Sequence, residues 1–256
     1  MEDARFEAEY LVRTVGRISR AQYFACAAID PCLEPEIDAA IARRSAREPA
    51  AYVTGEREFY GLAFAVGPAV LVPRPETELL VEIALAEPSG RDFRVVVDVG
   101  TGSGAIAVAV ALAPGGASHV VATEISADAL VFARLNARRH SSPVRFLRCN
   151  LLDAVARADI VLANLPYIPS GEIDALEPEV SRWEPRVALD GGVDGFTLIR
   201  QLVTDCARRV RPRLLALEVG FGQARAVQEL CDDAGARTNL VKDLAGIDRI
   251  VCARWR

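Results

Sequence analysis

The segment Asn164-Leu165-Pro166-Tyr167 has residue types that could hold a flat, nitrogen-containing group. It follows a short apolar run at residues 158–163, which is typical of a buried strand. A strand that runs into a proline cannot continue its hydrogen-bond ladder, so the Asn164 side chain and the carbonyls beside the proline are left at the strand end. Asn offers one acceptor and two donors in one plane. The same residues also suit an ordinary strand-to-loop turn.

A glycine-rich turn forms the second candidate site, between a predicted strand at 95–99 and a predicted helix at 105–113. Its residues are Gly100, Thr101, Gly102, Ser103 and Gly104. Glycine lets the backbone approach a ligand closely, and the helix N-terminus supplies free N–H groups. Glu124 ends the next predicted strand, where an acidic residue can accept hydrogen bonds from a ribose. The pattern fits an NAD-binding domain and an S-adenosylmethionine-binding domain alike.

Three further residues are candidates for the cofactor site. Asp98, directly before the glycines, would face the methionine part of S-adenosylmethionine or order the turn; the alternative is a strand-end residue that only caps the turn. Asn150 and Leu151 follow the third predicted strand, where an adenine ring would lie, or they simply begin a loop. The Asn164 motif and a predicted antiparallel pair of strands at the end of the domain favour S-adenosylmethionine over NAD.

Alternating strands and helices from Arg94 onward predict a doubly wound α/β domain. The predicted strands are 95–99, 120–124, 144–149, 159–163, 214–219, 238–241 and 249–253, and the helices are 105–113, 127–138, 196–210 and 224–234. Upstream, residues 1–47 have the spacing of short helices, 57–66 that of a hairpin, and Pro75 suits the first turn of a helix. We therefore divide the chain into residues 1–72, helices plus hairpin, and residues 73–256, the α/β domain.

Composition limits the classes of function. The chain has 256 residues with a formal net charge of -5, and no basic tract indicates a general affinity for nucleic acid. Six cysteines without C-x-x-C spacing and only two histidines do not form a zinc-binding pattern, so we predict no metal. The charged N-terminus and the lack of a long apolar stretch predict no signal segment, no membrane association and a cytoplasmic location.

Several segments resemble the bacterial release factor glutamine methyltransferases, the N5-glutamine enzymes of the PrmC/HemK type. The similarity runs from about residue 48 to the C-terminus, and its segments are 51–61 (AYVTGEREFYG), 71–78 (LVPRPETE), 98–107 (DVGTGSGAIA), 167–173 (YIPSGEI), 184–192 (EPRVALDGG) and 242–249 (KDLAGIDR). Residues upstream match only as a short helical domain. In this family that domain helps to bind the release factor.

The resemblance implies a seven-stranded class I S-adenosylmethionine-dependent methyltransferase fold with a small N-terminal helical domain. It implies methyl transfer to a glutamine side-chain nitrogen, with a release factor as protein partner. Asn164 and Tyr167 would be catalytic, Asn164 to Tyr167 would hold the substrate, and Asn164 would also border the cofactor. The Asn164 side-chain oxygen and the Leu165 carbonyl would accept the two amide hydrogens, and Tyr167 would pack against the amide. Arg74 and Glu78 would lie near the pocket or form a plain surface ion pair.

Leu165 departs from the family pattern, which is Asn-Pro-Pro-Tyr. Asn-Leu-Pro-Tyr is instead found in the ribosomal-RNA adenine dimethylases, although those enzymes lack counterparts of segments 74–78 and 184–192. A nucleic-acid adenine methyltransferase is therefore the second hypothesis. A third is a cofactor-binding homologue that has lost its activity, with the helical domain as a docking module.

Overall fold

A computed structural model describes residues 4–25, 29–87, 95–114 and 119–255. Cys26 and Arg94, where the predicted alternation of strands and helices begins, lie outside these ranges. Among the described residues, no helix is long and apolar enough to cross a membrane.

The N-terminal part is built from short helices, as predicted. They are α1 (Ala4–Val15), α2 (Arg20–Phe24), α3 (Glu34–Ser45) and α4 (Ala50–Thr54). Leu11, Ala40 and Val53 form a small apolar core between them. Pro31 begins a short 3-10 helix and Pro35 lies in the first turn of α3, where the missing N–H costs no helical hydrogen bond.

The predicted hairpin is also present, as strands β1 (Glu56–Phe59) and β2 (Leu62–Ala65). Tyr60 and Gly61 form its turn, both with positive φ. Phe59 and Phe64 are almost completely buried and pack into the core beneath the large sheet. The hairpin therefore belongs to the packing of the α/β part, while a domain boundary at residue 72 stays a prediction.

Seven strands form the large sheet, in the order β5-β4-β3-β6-β7-β9-β8. They are β3 (Val95–Val99), β4 (His119–Glu124), β5 (Arg145–Arg148), β6 (Ile160–Ala163), β7 (Leu214–Glu218), β8 (Arg237–Lys242) and β9 (Asp248–Arg254). The first five strands of this sheet, β3 to β7, are parallel, whereas β9 runs antiparallel to both β7 and β8. This confirms the doubly wound fold and its antiparallel end.

Helices cover both faces of the sheet. They are α5 (Glu78–Ala86), α6 (Ala105–Leu112), α7 (Ala127–Arg139), α9 (Thr197–Asp205) and α10 (Ala224–Asp233), and α9 continues as one π-helical turn to Val210. The short α8 (Pro178–Ser181) lies in the insertion between β6 and β7. A 3-10 turn at Pro75–Thr77 leads into α5. Two large apolar clusters, one on each face, bury the sheet from both sides.

The strand order reverses at β3, and this positions the site. Strand β3 pairs with β4 on one side and with β6 on the other, and Val99 lies opposite Ala163. The glycine turn after β3 and Asn164 after β6 therefore leave the sheet side by side. In open parallel sheets, ligands bind at the carboxyl edge at this kind of switch point.

Candidate functional site

One cavity of about 440 Å³ opens at the carboxyl edge of the sheet, within the range usual for small-molecule sites. Both predicted motifs border it, and the lining residues among the sequence predictions are Gly100, Thr101, Gly102, Ser103, Glu124, Asn150, Leu151, Asn164, Leu165 and Pro166. Asp98, Gly104 and Tyr167 are not in the lining. The structure thus brings most of the predicted residues together around one space.

The glycine turn is held in a conformation that only glycine adopts easily. Gly100, Gly102 and Gly104 all have positive φ, at 72°, 54° and 83°. A Cβ at Gly104 would lie 3.3 Å from Ala133 of α7, whereas one at Gly102 would meet only open space. Gly104 thus allows the helices to pack, and Gly102 leaves the backbone open to the cavity.

Glu124 joins the turn to the end of β4. Its carboxylate accepts hydrogen bonds from the Gly102 N–H at 3.0 Å and the Ser126 N–H at 2.9 Å. An ionised carboxylate has about four acceptor positions, so two bonds leave capacity for hydroxyl groups in the cavity that the residue lines.

Asp98 lies behind the cavity wall and holds the glycine turn in place through hydrogen bonds. Its Oδ2 accepts hydrogen bonds from the Thr101 hydroxyl at 2.5 Å and from the Ala107 N–H at 3.2 Å. Burial raises the pKa of Asp98 to about 7. Its Oδ1 is buried and has no hydrogen-bond partner among the described residues. The turn-ordering role is therefore visible, and a role toward the methionine part of a cofactor stays a prediction.

Asn164 is fixed by a chain of two hydrogen bonds. Its Nδ2 donates to Thr77 Oγ1 at 3.1 Å, and the Thr77 hydroxyl donates to Glu218 Oε2 at 2.6 Å. Thr77 and Glu218 are buried. Burial raises the pKa of Glu218 to about 7. No pattern in the sequence linked Thr77 to Glu218, because the two residues are 141 positions apart.

The rest of the motif is anchored by its backbone and by packing. Leu165 is buried, and its Cδ2 lies against Gly100 of the glycine turn. The Tyr167 carbonyl accepts a hydrogen bond from Gln223 Nε2 at 2.8 Å, and its ring packs beside Gly220. Burial raises the pKa of the Tyr167 hydroxyl, which therefore stays protonated. The catalytic role of Tyr167 stays a prediction.

Arg74 and Glu78 have different surroundings. Arg74 lines the cavity and binds both carboxylate oxygens of the buried Glu184, at 2.7 and 2.8 Å. Glu78 Oε1 accepts the Tyr60 N–H at 2.8 Å and is not in the lining. The alternative of a surface ion pair between Arg74 and Glu78 is therefore not what the structure shows.

One wall of the cavity was not predicted from the sequence. Ile125, 53% exposed, lines the cavity beside Glu124 and offers an apolar surface. The long insertion after the Asn164 motif returns to the cavity through Val187, Ala188 and residues 190–192. A backbone bridge between Ile168 and Asp190 fixes that return. An apolar residue after Glu124 could have been noted from the sequence, whereas the return of the insertion could not.

These residues fit S-adenosylmethionine. A carboxylate with spare acceptor positions stands at the end of β4, an open backbone turn lies beside it, and the apolar Ile125 and Leu151 border the same space. Among the described residues, no group of His, Cys, Asp and Glu side chains could hold a metal ion.

The sheet order and the site at its switch point define the fold of a class I methyltransferase. A methyltransferase from Pyrococcus furiosus is similar over 85% of this chain and 96% of its own, with a TM-score of 0.58 and 18% identity. A 16S rRNA methyltransferase from T. thermophilus, solved with S-adenosylmethionine and guanosine, is similar over 78% of this chain and 50% of its own, with a TM-score of 0.53 and 19% identity. At these identities the likeness concerns the fold alone.

Sequence comparison identifies the family. The model of the Methyltransferase small domain matches residues 75–176, and that of the PrmC N-terminal domain matches residues 1–55. A release factor glutamine methyltransferase of Cereibacter sphaeroides is 45% identical over 88% of this chain and 82% of its own. One of Geobacter sulfurreducens is 39% identical over 99% of this chain and 90% of its own. The chain belongs to the release factor glutamine methyltransferase family, which confirms the resemblance seen in its motifs.

Proposed function

We propose that this protein transfers a methyl group from S-adenosylmethionine to the side-chain amide nitrogen of a glutamine in a peptide chain release factor, in its Gly-Gly-Gln motif. The observation that carries the proposal is the position of Asn164. Its amide lies at the carboxyl end of β6, in the wall of the same cavity as the glycine turn. The names of the relatives supply the substrate class.

Several residues would hold the cofactor, which supplies an electrophilic methyl group when bound. Glu124 would accept hydrogen bonds from the ribose hydroxyls, because two backbone N–H groups already fix its carboxylate. Ile125, Asn150 and Leu151 would border the adenine. Gly102 would let the backbone approach the ligand, since nothing lies where its Cβ would be.

The chain's own contribution to the reaction is orientation and charge stabilisation. An amide nitrogen is a poor nucleophile because its lone pair is delocalised into the carbonyl. The Asn164 side-chain oxygen and the Leu165 carbonyl would accept the two substrate N–H groups, which fixes the direction of the nitrogen lone pair. The same two oxygens would favour the positive charge that develops on the nitrogen. No strong base is needed, because the methylated amide nitrogen is acidic enough to lose its proton.

We propose that residues 1–72 help to recognise the release factor. Two ion pairs link the end of α3 to α8: Arg44 and Arg47 both bind Glu179, at 2.9 and 2.6 Å. Helix α8 belongs to the insertion that returns to the cavity at Val187. A release factor bound to the helices would therefore reach the cavity mouth along this insertion. We place the reaction in the cytoplasm, where such a substrate is found.

Transfer assays with labelled S-adenosylmethionine test the proposal. The protein is incubated separately with a release factor and with ribosomal RNA, and an Asn164→Ala variant serves as the control for site-specific transfer. We expect label in the release factor with the parent protein alone. Label in RNA and none in the release factor would support the adenine methyltransferase suggested by Leu165. Binding of S-adenosylmethionine with no transfer to either would support an inactive homologue.

A further inference from the structure

The side-chain amide of Asn164 has two orientations that fill the same space but present opposite chemistry. With the oxygen toward the cavity, it accepts a hydrogen bond from a substrate N–H; with the nitrogen there, it can only donate. A substrate amide nitrogen carries hydrogens, so only the first orientation binds it productively. The proposed reaction, on which this inference rests, therefore needs a device that selects one orientation.

Thr77 and Glu218 supply that selection. An ionised carboxylate can only accept hydrogen bonds, so an ionised Glu218 requires the Thr77 hydroxyl to donate its one proton across the 2.6 Å contact. The Thr77 oxygen then has only lone pairs left for Asn164. The group that can bind it is the Asn164 NH2, at 3.1 Å. The Asn164 side-chain oxygen, on the opposite side of the amide group, takes no part in this chain of bonds.

We propose that Thr77 and Glu218 are positioning residues that hold the Asn164 side-chain oxygen toward the substrate amide. Neither residue needs to touch the reacting atoms. The chain of bonds is well placed to hold one orientation, because Thr77 and Glu218 are 4% and 2% exposed and water competes little for them. Its parts come from three elements: the turn before α5, the end of β6 and the end of β7.

Protonation of Glu218 would remove the selection, because a protonated carboxyl can donate to Thr77 and let Thr77 donate to Asn164. Burial raises the pKa of Glu218 to about 7; the other groups acting on it are Thr77, Arg249 and Arg74, which oppose the rise, and Glu76, which adds to it. The Glu218 charge also raises the pKa of the Tyr167 hydroxyl. Activity that depends on the chain of bonds should therefore be measured above pH 7.

The test compares Thr77→Val, which removes the hydroxyl at nearly constant shape, with Thr77→Ser, which keeps it. We expect kcat for release factor methylation to fall roughly tenfold to a hundredfold in the valine variant and to recover in the serine variant. The dissociation constant for S-adenosylmethionine should stay near the parent value in both. Thr204→Val, which loses an exposed hydroxyl bonded to the Arg200 carbonyl, is the control and should match the parent.

Nuclear magnetic resonance supplies a readout that does not depend on turnover. The chain has four asparagines, Asn136, Asn150, Asn164 and Asn239, so the side-chain signals of ¹⁵N-asparagine-labelled protein can be assigned with one Asn164→Ala spectrum. We expect the Asn164 NH2 signal to be protected from solvent exchange in the parent and in Thr77→Ser, and to lose that protection in Thr77→Val. Glu218→Gln, whose amide can donate as well as accept, should reduce the protection and kcat partially.

Three results would overturn the inference while the parent still methylates the release factor. They are a valine variant with parent kcat, a serine variant as slow as the valine variant, and an Asn164 signal unaffected by loss of the Thr77 hydroxyl. If Thr77→Val does not fold, Glu218→Gln decides by the same two measurements. A parent protein that does not methylate a release factor at all would instead contradict the proposed function, so the two failures are distinguishable.

Discussion

Replacement of Glu124 tests the cofactor site at its best-defined polar contact. The Glu124 carboxylate is held by the Gly102 and Ser126 N–H groups and faces the cavity with acceptor capacity to spare. Glu124→Ala removes the acceptors that we assign to the ribose and also releases the turn. Hydrogen bonds to a charged group contribute about 1.5–3 kcal/mol. We therefore expect the dissociation constant for S-adenosylmethionine to rise roughly 10- to 150-fold.

Calorimetric titration measures this change, and Asp128→Ala is the matched control. Asp128 lies in the first turn of α7, is exposed and does not line the cavity. Its replacement by alanine removes one negative charge, as Glu124→Ala does. Its effect on the dissociation constant should stay within about twofold, as for most exposed positions. Parent-like affinity in Glu124→Ala, or an equal loss in Asp128→Ala, would refute the assignment of Glu124. Heat from NAD but not from S-adenosylmethionine would refute the choice of cofactor.

Three further changes have defined outcomes. Asn164→Ala should abolish transfer while the affinity for S-adenosylmethionine, measured by titration, stays nearly intact, because the amide acts on the substrate nitrogen in the transition state. Leu165→Pro should keep glutamine methylation at a similar or higher rate, because the backbone carbonyl is retained. The same change loses the packing of the buried leucine side chain, and the lower conformational entropy of the unfolded chain offsets part of this loss, so the free energy of unfolding should fall by about 1 kcal/mol. Glu218→Gln should remove a pH dependence of stability. Since burial raises the pKa of Glu218 from 4.5 to about 7, its contribution in the parent is fully present below pH 4.5 and is lost as the pH rises through 7, by an amount on the order of 3 kcal/mol.

Each of these outcomes can fail. Affinity that falls in step with turnover in Asn164→Ala would show that Asn164 mainly serves the cofactor. Lower activity of Leu165→Pro on the true substrate would indicate a pocket reshaped around leucine. The free energies of unfolding of the parent and of Glu218→Gln are compared at pH 4.5 and at pH 7. A difference between the two proteins that is the same at both pH values would show that burial does not raise the pKa of Glu218.

The features that the sequence predicted correctly are local in the chain. The apolar runs of β3 and β6, the three glycines between strand and helix, and the acidic end of β4 each carry their signal within a few residues. Parallel pairing then brings the strand ends together, so the meeting of most predicted site residues at one cavity followed from topology.

The features that the sequence did not predict depend on contacts between distant segments. Thr77 bonds to Glu218 across 141 positions, and Arg74 binds Glu184 across 110. No local pattern distinguishes a buried Glu or Thr with such a partner from one in an ordinary strand or helix start.

Tandem mass spectrometry of a release factor treated with the protein and S-adenosylmethionine tests the central claim most directly. We predict one added methyl group on the side-chain amide nitrogen of the Gly-Gly-Gln glutamine, absent after treatment with Asn164→Ala. An unmodified glutamine after treatment with active, cofactor-binding protein, or a methyl group located on another residue, would contradict it.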